Sequence, residues 1–235
     1  MLKNYLSNPP HFFKAYKSNI NRAPRKKFFK ITKDIYKGSK LKVLSKNFNM
    51  NNNLLLFKKN KSPIGQKIII KGKVINRRGN PLKGIIIEIW QANAAGKYRD
   101  KNDTHDAAID PNFLGYGVTK TNSNGGYKFK TIMPGAYPWK NHFNAWRPSH
   151  IHFSIIGESL ADRLVTQMYF CGDPLIEHDP IFCATPAANR HRLISSFDLG
   201  ITEADFALGY NFDIVLPGTK DMPNPKESEH PNEGS

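Results

Sequence analysis

From Gln66 onward, short runs of β-branched and aromatic residues alternate with turn-forming residues, and this pattern constrains the fold more than any other feature. Val, Ile, Tyr and Phe favour pleated strands, whereas Gly, Pro, Asn and Asp favour turns. The pattern predicts strands over 67–75, 84–92, 116–121, 127–133, 150–156, 164–170 and 212–218. Because helices of about 10 to 15 residues do not separate them, the sequence predicts an all-β, antiparallel β-sandwich rather than βαβ units.

Sequence composition divides the chain into three predicted parts. We expect an irregular basic N-terminal arm over residues 1–62 and a sandwich domain over 63–218. Residues 219–235 are rich in Pro, Glu and Asn, which predicts a flexible C-terminal tail. Within the sandwich domain, weak helical periodicity occurs only at 187–197 and 202–208.

The basic charge of the chain is concentrated in the arm. The chain has 35 Lys and Arg against 19 Asp and Glu, and its formal net charge is +16. Residues 1–62 hold 16 of the basic residues and one acid, Asp34, so the rest of the chain is nearly neutral. A basic arm can bind nucleic acid. The arm has no helix-turn-helix, zinc-finger or RNA-binding signature, and we therefore do not predict a nucleic-acid partner.

Apolar runs and cysteines point to a cytoplasmic protein. The longest apolar runs, such as 84–90, are far shorter than the roughly 20 residues that a membrane helix needs. The start of the sequence lacks the apolar stretch of a secretory signal. Cys171 and Cys183 form no CxxC pair, so we predict buried free thiols rather than a disulfide framework or zinc ribbon.

The segment 137–152, YPWKNHFNAWRPSHIH, holds the most informative pattern for chemistry. His150 and His152 stand two residues apart in a predicted strand, so both imidazoles project from the same face. Such a pair can bind a metal. It can equally be two hydrogen-bonded or solvent-facing histidines, because an HxH pattern in a strand is a weak signal by itself.

Residues around the histidine pair indicate which metal would suit it. The sequence lacks the HxD or HxE pattern typical of Fe(II) oxygenases and has no neighbouring cysteine for zinc. Tyr98 and Tyr137 are candidates for the remaining ligands. A phenol has a pKa near 10, but a bound trivalent cation favours its anion, and phenolates suit Fe(III). Each tyrosine can also be an ordinary core residue.

Several blocks with matching order and spacing resemble one known family. The blocks cover 16–24, 87–103, 110–117, 131–154 and 166–174. They resemble the intradiol ring-cleaving dioxygenases over almost the whole chain, and most of all the iron-bearing β subunits of that family. The resemblance implies a β-sandwich enzyme that cleaves a catechol with O2.

The resemblance also assigns site residues. It implies a non-haem Fe(III) ion bound by Tyr98, Tyr137, His150 and His152. It implies catalytic roles for three residues, with Tyr137 taking up a substrate proton: Arg147, Tyr137 and Gln167. It implies that four residues bind substrate: Tyr16, Arg22, Trp139 and Ile181.

Substrate and partner follow from the resemblance as further expectations. Tyr16 and Arg22 stand where relatives meet a substrate carboxylate, which implies cleavage of protocatechuate (3,4-dihydroxybenzoate) to 3-carboxy-cis,cis-muconate. A homologous α subunit without iron is implied as a partner in a hetero-oligomer. The alternatives are an enzyme for catechol, hydroxyquinol or another substituted catechol, or a non-catalytic binding subunit. Lys140 and Cys171 depart from common family residues, which affects the expected substrate preference but not the iron site.

Overall fold

A computed structural model of the chain describes residues 50–101, 103–139, 146–157 and 163–216. Most of the predicted basic arm, including Tyr16 and Arg22, lies outside the described residues, as do Lys140 and the predicted C-terminal tail. The strands are β1 (Lys67–Asn76), β2 (Ile86–Trp90), β3 (Tyr116–Lys120), β4 (Gly126–Ile132), β5 (Tyr137–Pro138), β6 (Trp146–Arg147), β7 (His150–Ile156), β8 (Arg163–Phe170), β9 (Ile194–Phe197), β10 (Leu208–Asn211) and β11 (Ile214–Leu216). The helices are α1 (Pro180–Ala184) and α2 (Ala187–Arg190), with 3₁₀ turns at Leu54–Leu56, Ile176–His178 and His191–Leu193.

Nine of these strands form one large sheet. Its order is β11-β1-β10-β9-β8-β7-β2-β3, with β4 paired to β1 off this path, and β5 and β6 form a separate pair. The all-β prediction is confirmed. Most strand pairs are antiparallel as predicted, but β1 is parallel to β10 and β11, and β8 is parallel to β9, so the sheet is mixed. Parallel strands need a crossover connection of a dozen or more residues, and residues 171–193, with α1, α2 and two 3₁₀ turns, provide it between β8 and β9.

The described helices differ from the weak helical pattern. Of the predicted 187–197 segment, only the first part is helical, and Ile194–Phe197 is strand β9. Pairing with β8 and β10 overrides the local preference there. The 202–208 segment is not a helix, whereas α1 begins at Pro180 with Asp179 as its N-cap.

Strand β7 is buried on both faces, and this divides the interior into two regions. Ile151, Phe153 and Ile155 are fully buried in the main hydrophobic core with side chains of β1, β4, β8 and β11. His150 and His152 alternate with them and therefore point to the opposite side of the sheet. The sheet consequently holds two imidazoles in a water-poor interior that is separate from its apolar core.

Two further predictions concern the membrane and the cysteines. Within the residues that the structure describes, no helix is long and apolar enough to cross a membrane. Cys171 and Cys183 are free thiols, as predicted, but both are exposed, so the expectation that they are buried was wrong. Cys171 follows the last residue of β8 in a turn, and Cys183 lies on the outer side of α1, where neither packs into the core.

Candidate metal centre

The loop that carries Tyr98 is fixed by polar contacts. Asn93 Oδ1 accepts the backbone N–H groups of Ala95 and Lys97 at 2.9 and 3.0 Å. The Asp103 carboxylate accepts the backbone N–H of Tyr98 at 2.8 Å, and the Lys97 ammonium lies 3.8 Å from the same carboxylate. These contacts set the position of Tyr98, which is buried although it lies outside any strand.

A close approach of two backbones brings Tyr137 next to this loop. The N–H of Gly135 donates to the Asn93 carbonyl at 2.9 Å. Gly96 has φ +76°, and a Cβ at this position would lie 2.3 Å from the Ala136 carbonyl oxygen and 3.0 Å from Tyr137 Cβ. Only glycine fits this contact without displacement. The two tyrosines thus come together because the loops before them touch.

Replacing Gly96 with alanine is therefore expected to destabilise the fold and displace Tyr137. Gly172→Ala is the matched control, because Gly172 has φ +84° but has no atom within 4 Å of a built Cβ. Both variants share the cost of a left-handed alanine, about 1–2 kcal/mol. Gly96→Ala adds an overpacking cost of about 1–3 kcal/mol. Urea unfolding of both variants measures this difference, and equal free energies of unfolding would contradict the close approach.

The histidines are oriented by their neighbours on the sheet. The Nδ1 atom of His150 lies 2.7 Å from the Pro148 carbonyl. A carbonyl only accepts, so Nδ1 carries a proton, and in the neutral imidazole Nε2 is then the nitrogen with the lone pair. His152 stands opposite Trp90 in the β2–β7 register, and the two rings stack with centroids 5.0 Å apart and an angle of 10°. Both imidazoles are thereby held in one orientation.

All four predicted ligand residues converge at one point. The Tyr98 phenol oxygen lies 2.9 Å from His152 Nε2 and 3.5 Å from His150 Nε2. The Tyr137 phenol oxygen lies 3.4 Å from His150 Nε2. All four side chains are at most 4% exposed. The structure therefore brings together two phenol oxygens and two imidazole nitrogens that are far apart in sequence.

This set of donors fits a ferric ion. The described part of the chain contains no group of three or more His, Cys, Asp or Glu side chains that could hold a metal. The donors here are two oxygens that become anionic on ligation and two neutral nitrogens. Hard anionic oxygen donors favour a trivalent cation, whereas structural zinc sites are typically built from thiolate and imidazole.

Arg147 lies beside the four donors and is fully buried. It stands opposite Tyr137 in the β5–β6 register, and its Nη1 lies 3.5 Å from the Tyr137 phenol oxygen and 3.2 Å from His150 Nε2. Its Nη2 donates to Gln167 Oε1 at 2.6 Å. Gln167 is placed there because it faces His152 in the β7–β8 register. Arg147 and Gln167, two of the three predicted catalytic residues, thus lie next to the donors, which include the third, Tyr137.

Two buried residues beside Arg147 were not predicted from the sequence. Asp179 accepts Arg147 Nε at 3.1 Å and Nη2 at 2.8 Å. Tyr169 faces His150 in the β7–β8 register and donates its hydroxyl to Asp179 at 2.7 Å. The register of β8 was a usable signal for Tyr169, because Gln167 and Tyr169 are two apart in one predicted strand. Asp179 was recognisable only as a helix N-cap before Pro180.

Electrostatics define the ionisation of these two residues. Burial raises the pKa of the Asp179 carboxyl, but the adjacent Arg147 guanidinium opposes this and the pKa lies below its ordinary value. Burial raises the pKa of Tyr169 well above its ordinary value; Arg147 opposes this rise and Asp179 adds to it. Asp179 is therefore a carboxylate and Tyr169 a neutral phenol near neutral pH.

The other predicted substrate residues have different outcomes. Trp139 and Ile181 are buried, and the Ile181 N–H donates to Asp179 at the start of α1. Their contact with substrate stays a prediction. Tyr16 and Arg22 lie outside the described residues, so their contact with substrate stays a prediction as well.

Comparisons with known proteins place this chain in a family. A family described as dioxygenases matches residues 43–218. The chain is 46% identical over 228 residues to the protocatechuate 3,4-dioxygenase beta chain of Burkholderia cepacia, covering 94% of this chain and 95% of that protein. It is 29% identical over 166 residues to 6-chlorohydroxyquinol 1,2-dioxygenase of Cupriavidus pinatubonensis, covering 66% of this chain and 55% of that protein.

A solved structure agrees with this placement. The crystal structure of 3-chlorocatechol 1,2-dioxygenase from Rhodococcus opacus 1CP matches with a TM-score of 0.55 and 26% identity, and covers 72% of this chain and 69% of that chain. Intradiol dioxygenases use non-haem ferric iron, which the donors described above suit. The chain therefore belongs to the dioxygenase family, as an intradiol ring-cleaving enzyme.

Proposed function

We propose that this chain binds a non-haem ferric ion and cleaves protocatechuate with O2 to 3-carboxy-cis,cis-muconate. The ligands in this proposal are Tyr98, Tyr137, His150 and His152. The convergence of two phenol oxygens and two imidazole nitrogens within 2.9–3.5 Å carries the proposal. The 46% identity to a protocatechuate 3,4-dioxygenase beta chain supports the substrate.

Ferric iron would supply charge for deprotonating the catechol and a route for electron density from the ring. The residues of this chain would supply proton acceptors and a fixed cation. In the proposal, the Tyr137 phenolate accepts a catechol proton as substrate binds. Arg147 keeps its charge at any working pH and presents Nη1 toward the donors, so it can stabilise an anionic form of the substrate.

Burial strengthens these effects. Arg147, Gln167, His150 and His152 are all nearly inaccessible to water. Charges interact more strongly in such an interior than in water, and fixed groups need no reorganisation during the reaction. A fixed guanidinium beside the reacting ring is thus more effective than a mobile surface cation.

The proposal extends to a second polypeptide. The relative with 46% identity is named a beta chain, which supports a homologous α subunit as partner of this chain in a hetero-oligomer. The chain should therefore be assayed both alone and after co-expression with an α-type chain.

The direct test is reconstitution with ferric iron. The pure protein is expected to bind about one iron per site, to develop the visible charge-transfer band of tyrosinate–Fe(III) centres, and to take up O2 with protocatechuate. The product is identified by mass spectrometry as the ring-opened triacid, which carries both atoms of one O2. A protein that stays colourless with iron supports the non-catalytic binding subunit instead. Activity confined to catechol or hydroxyquinol supports the alternative substrates.

The predicted arm residues provide a separate test of the substrate. Losing a charge-assisted hydrogen bond to a carboxylate costs about 1.5–3 kcal/mol, or roughly 10- to 100-fold in KM if KM tracks affinity. Tyr16→Phe and Arg22→Ala are thus expected to weaken protocatechuate binding far more than binding of plain catechol. The ratio of kcat/KM for the two substrates measures this. An equal fall for both would assign the arm to folding or assembly.

A further inference from the structure

The Nε and Nη2 edge of the Arg147 guanidinium makes a paired contact with Asp179. Nε and Nη2 of the guanidinium donate to the two carboxylate oxygens of Asp179 at 3.1 and 2.8 Å. This is the paired arrangement of an arginine with a carboxylate, in which two parallel hydrogen bonds fix the plane of the guanidinium. Both side chains are fully buried.

The opposite edge of the guanidinium is the one that faces the donors. Its Nη1 lies 3.5 Å from the Tyr137 phenol oxygen and 3.2 Å from His150 Nε2. Because a guanidinium is planar and rigid, holding Nε and Nη2 fixes where Nη1 points. The carboxylate therefore sets the direction of the arginine without lying next to the reacting atoms.

Asp179 also balances charge in a site that binds a cation. An arginine buried without a counterion would carry a large desolvation cost. Repulsion from a neighbouring cation would add a second unfavourable contribution. The Arg147–Asp179 pair is neutral overall, so the guanidinium can lie beside a trivalent ion.

Asp179 itself is held in place by two further contacts. The Tyr169 hydroxyl donates to Oδ2 at 2.7 Å, and the Ile181 backbone N–H donates to Oδ1 at 3.3 Å at the start of α1. A carboxylate with hydrogen bonds from a side chain, a helix start and an arginine has few alternative orientations. Helix α1 is thereby linked to the position of Arg147.

We propose that Asp179 is a positioning residue of this enzyme: it fixes the orientation of Arg147 and neutralises its charge beside the metal centre. The inference rests on the function proposed above. Asp179 does not contact substrate in this proposal and acts through Arg147.

The substitution Asp179→Asn isolates this role. Asparagine is as good an N-cap as aspartate, so the start of α1 is retained. Asparagine lacks the negative charge, and it has only one oxygen with which to accept hydrogen bonds from Nε and Nη2, where aspartate uses two. Displacing a catalytic group by about 1 Å can lower the rate on the order of 10²-fold. We expect kcat and kcat/KM to fall together by about this factor, with KM and iron content near those of the wild type.

A double-mutant cycle distinguishes positioning from a general structural effect. Arg147→Lys cannot form the planar pair, so Asp179 has no guanidinium to orient in that variant. The doubly substituted protein is therefore expected to be no slower than the slower single variant. If the fold-reductions in kcat of the two single variants multiply in the double variant, Asp179 acts independently of Arg147, and this would overturn the inference.

One further variant and a control complete the experiment. Asp179→Glu keeps the buried charge and displaces the carboxylate by one methylene, so it tests orientation even if the Asn variant does not fold. It is expected to slow kcat while keeping iron and the visible band. Asp198→Asn is the control: it removes a charge from a carboxylate that accepts the Gly200 N–H, which an asparagine oxygen can also do, and it is expected to keep full activity.

The outcomes separate this inference from the proposed function. If the wild type cleaves catechols and both Asp179 variants match its kcat, the positioning role is wrong and the proposed function stands. If the iron-loaded wild type cleaves no catechol, the proposed function is wrong and the inference falls with it. Unfolding midpoints of all variants, measured in parallel, show whether slow variants are still folded.

Discussion

Replacing His152 with alanine is expected to yield a protein that holds at most about a tenth of the wild-type iron and has ring-cleaving activity near background. His152 Nε2 lies 2.9 Å from the Tyr98 phenol oxygen, and its ring is fixed by the stack on Trp90. Loss of residues that only support metal ligands already costs about 10- to 100-fold in affinity or activity, so loss of a ligand should cost at least as much.

His191→Ala is the matched control for this result. His191 is exposed in a 3₁₀ turn and lies outside the group of converging donors. Iron content is measured with a colorimetric chelator after desalting, together with the visible band and O2 uptake. Unfolding midpoints of the metal-free proteins separate iron loss from loss of the Trp90 stack. A His152→Ala protein with wild-type iron content and band would exclude His152 as a ligand.

Much of the fold follows from local sequence patterns. The segment HIHFSII predicts a strand over 150–156, which is the observed extent of β7. Long β-branched runs similarly predict β1, β2 and β8, because these residues favour strands that are buried on at least one face. Strand β9 was not predicted, because its residues become a strand through pairing with β8 and β10, and this pairing is not visible in the local sequence of 194–197.

Only part of the candidate site could be predicted from local sequence. The alternation of a strand places His150 and His152 on one face, but nothing local in the sequence brings Tyr98 or Tyr137 to them. That contact depends on the close approach of the backbones around Gly96 and Gly135. The resemblance to a family, not periodicity, assigned the two tyrosines as metal ligands. Asp179 was missed because a buried counterion has no sequence pattern beyond its role as a helix cap.

Changing Tyr98 and Tyr169 separately to phenylalanine is expected to give opposite spectroscopic results. Both phenols are buried beside the histidines, and both substitutions remove a single hydroxyl. Tyr98→Phe removes a donor that lies 2.9 and 3.5 Å from the two histidines. It is expected to shift or bleach the visible band and to lower kcat at least about 10- to 100-fold.

Tyr169→Phe should keep the iron and the band because the Tyr169 phenol is not one of the converging donors. Burial raises its pKa well above the ordinary value, and although Arg147 opposes this, Asp179 adds to the rise, which favours the neutral phenol. The measurement is the visible spectrum of the iron-loaded proteins at equal iron content. A lost band in Tyr169→Phe with an unchanged band in Tyr98→Phe would reverse the assignment of the tyrosinate. Because both residues lose the same hydroxyl from the same interior, the difference between the two spectra isolates ligation from burial.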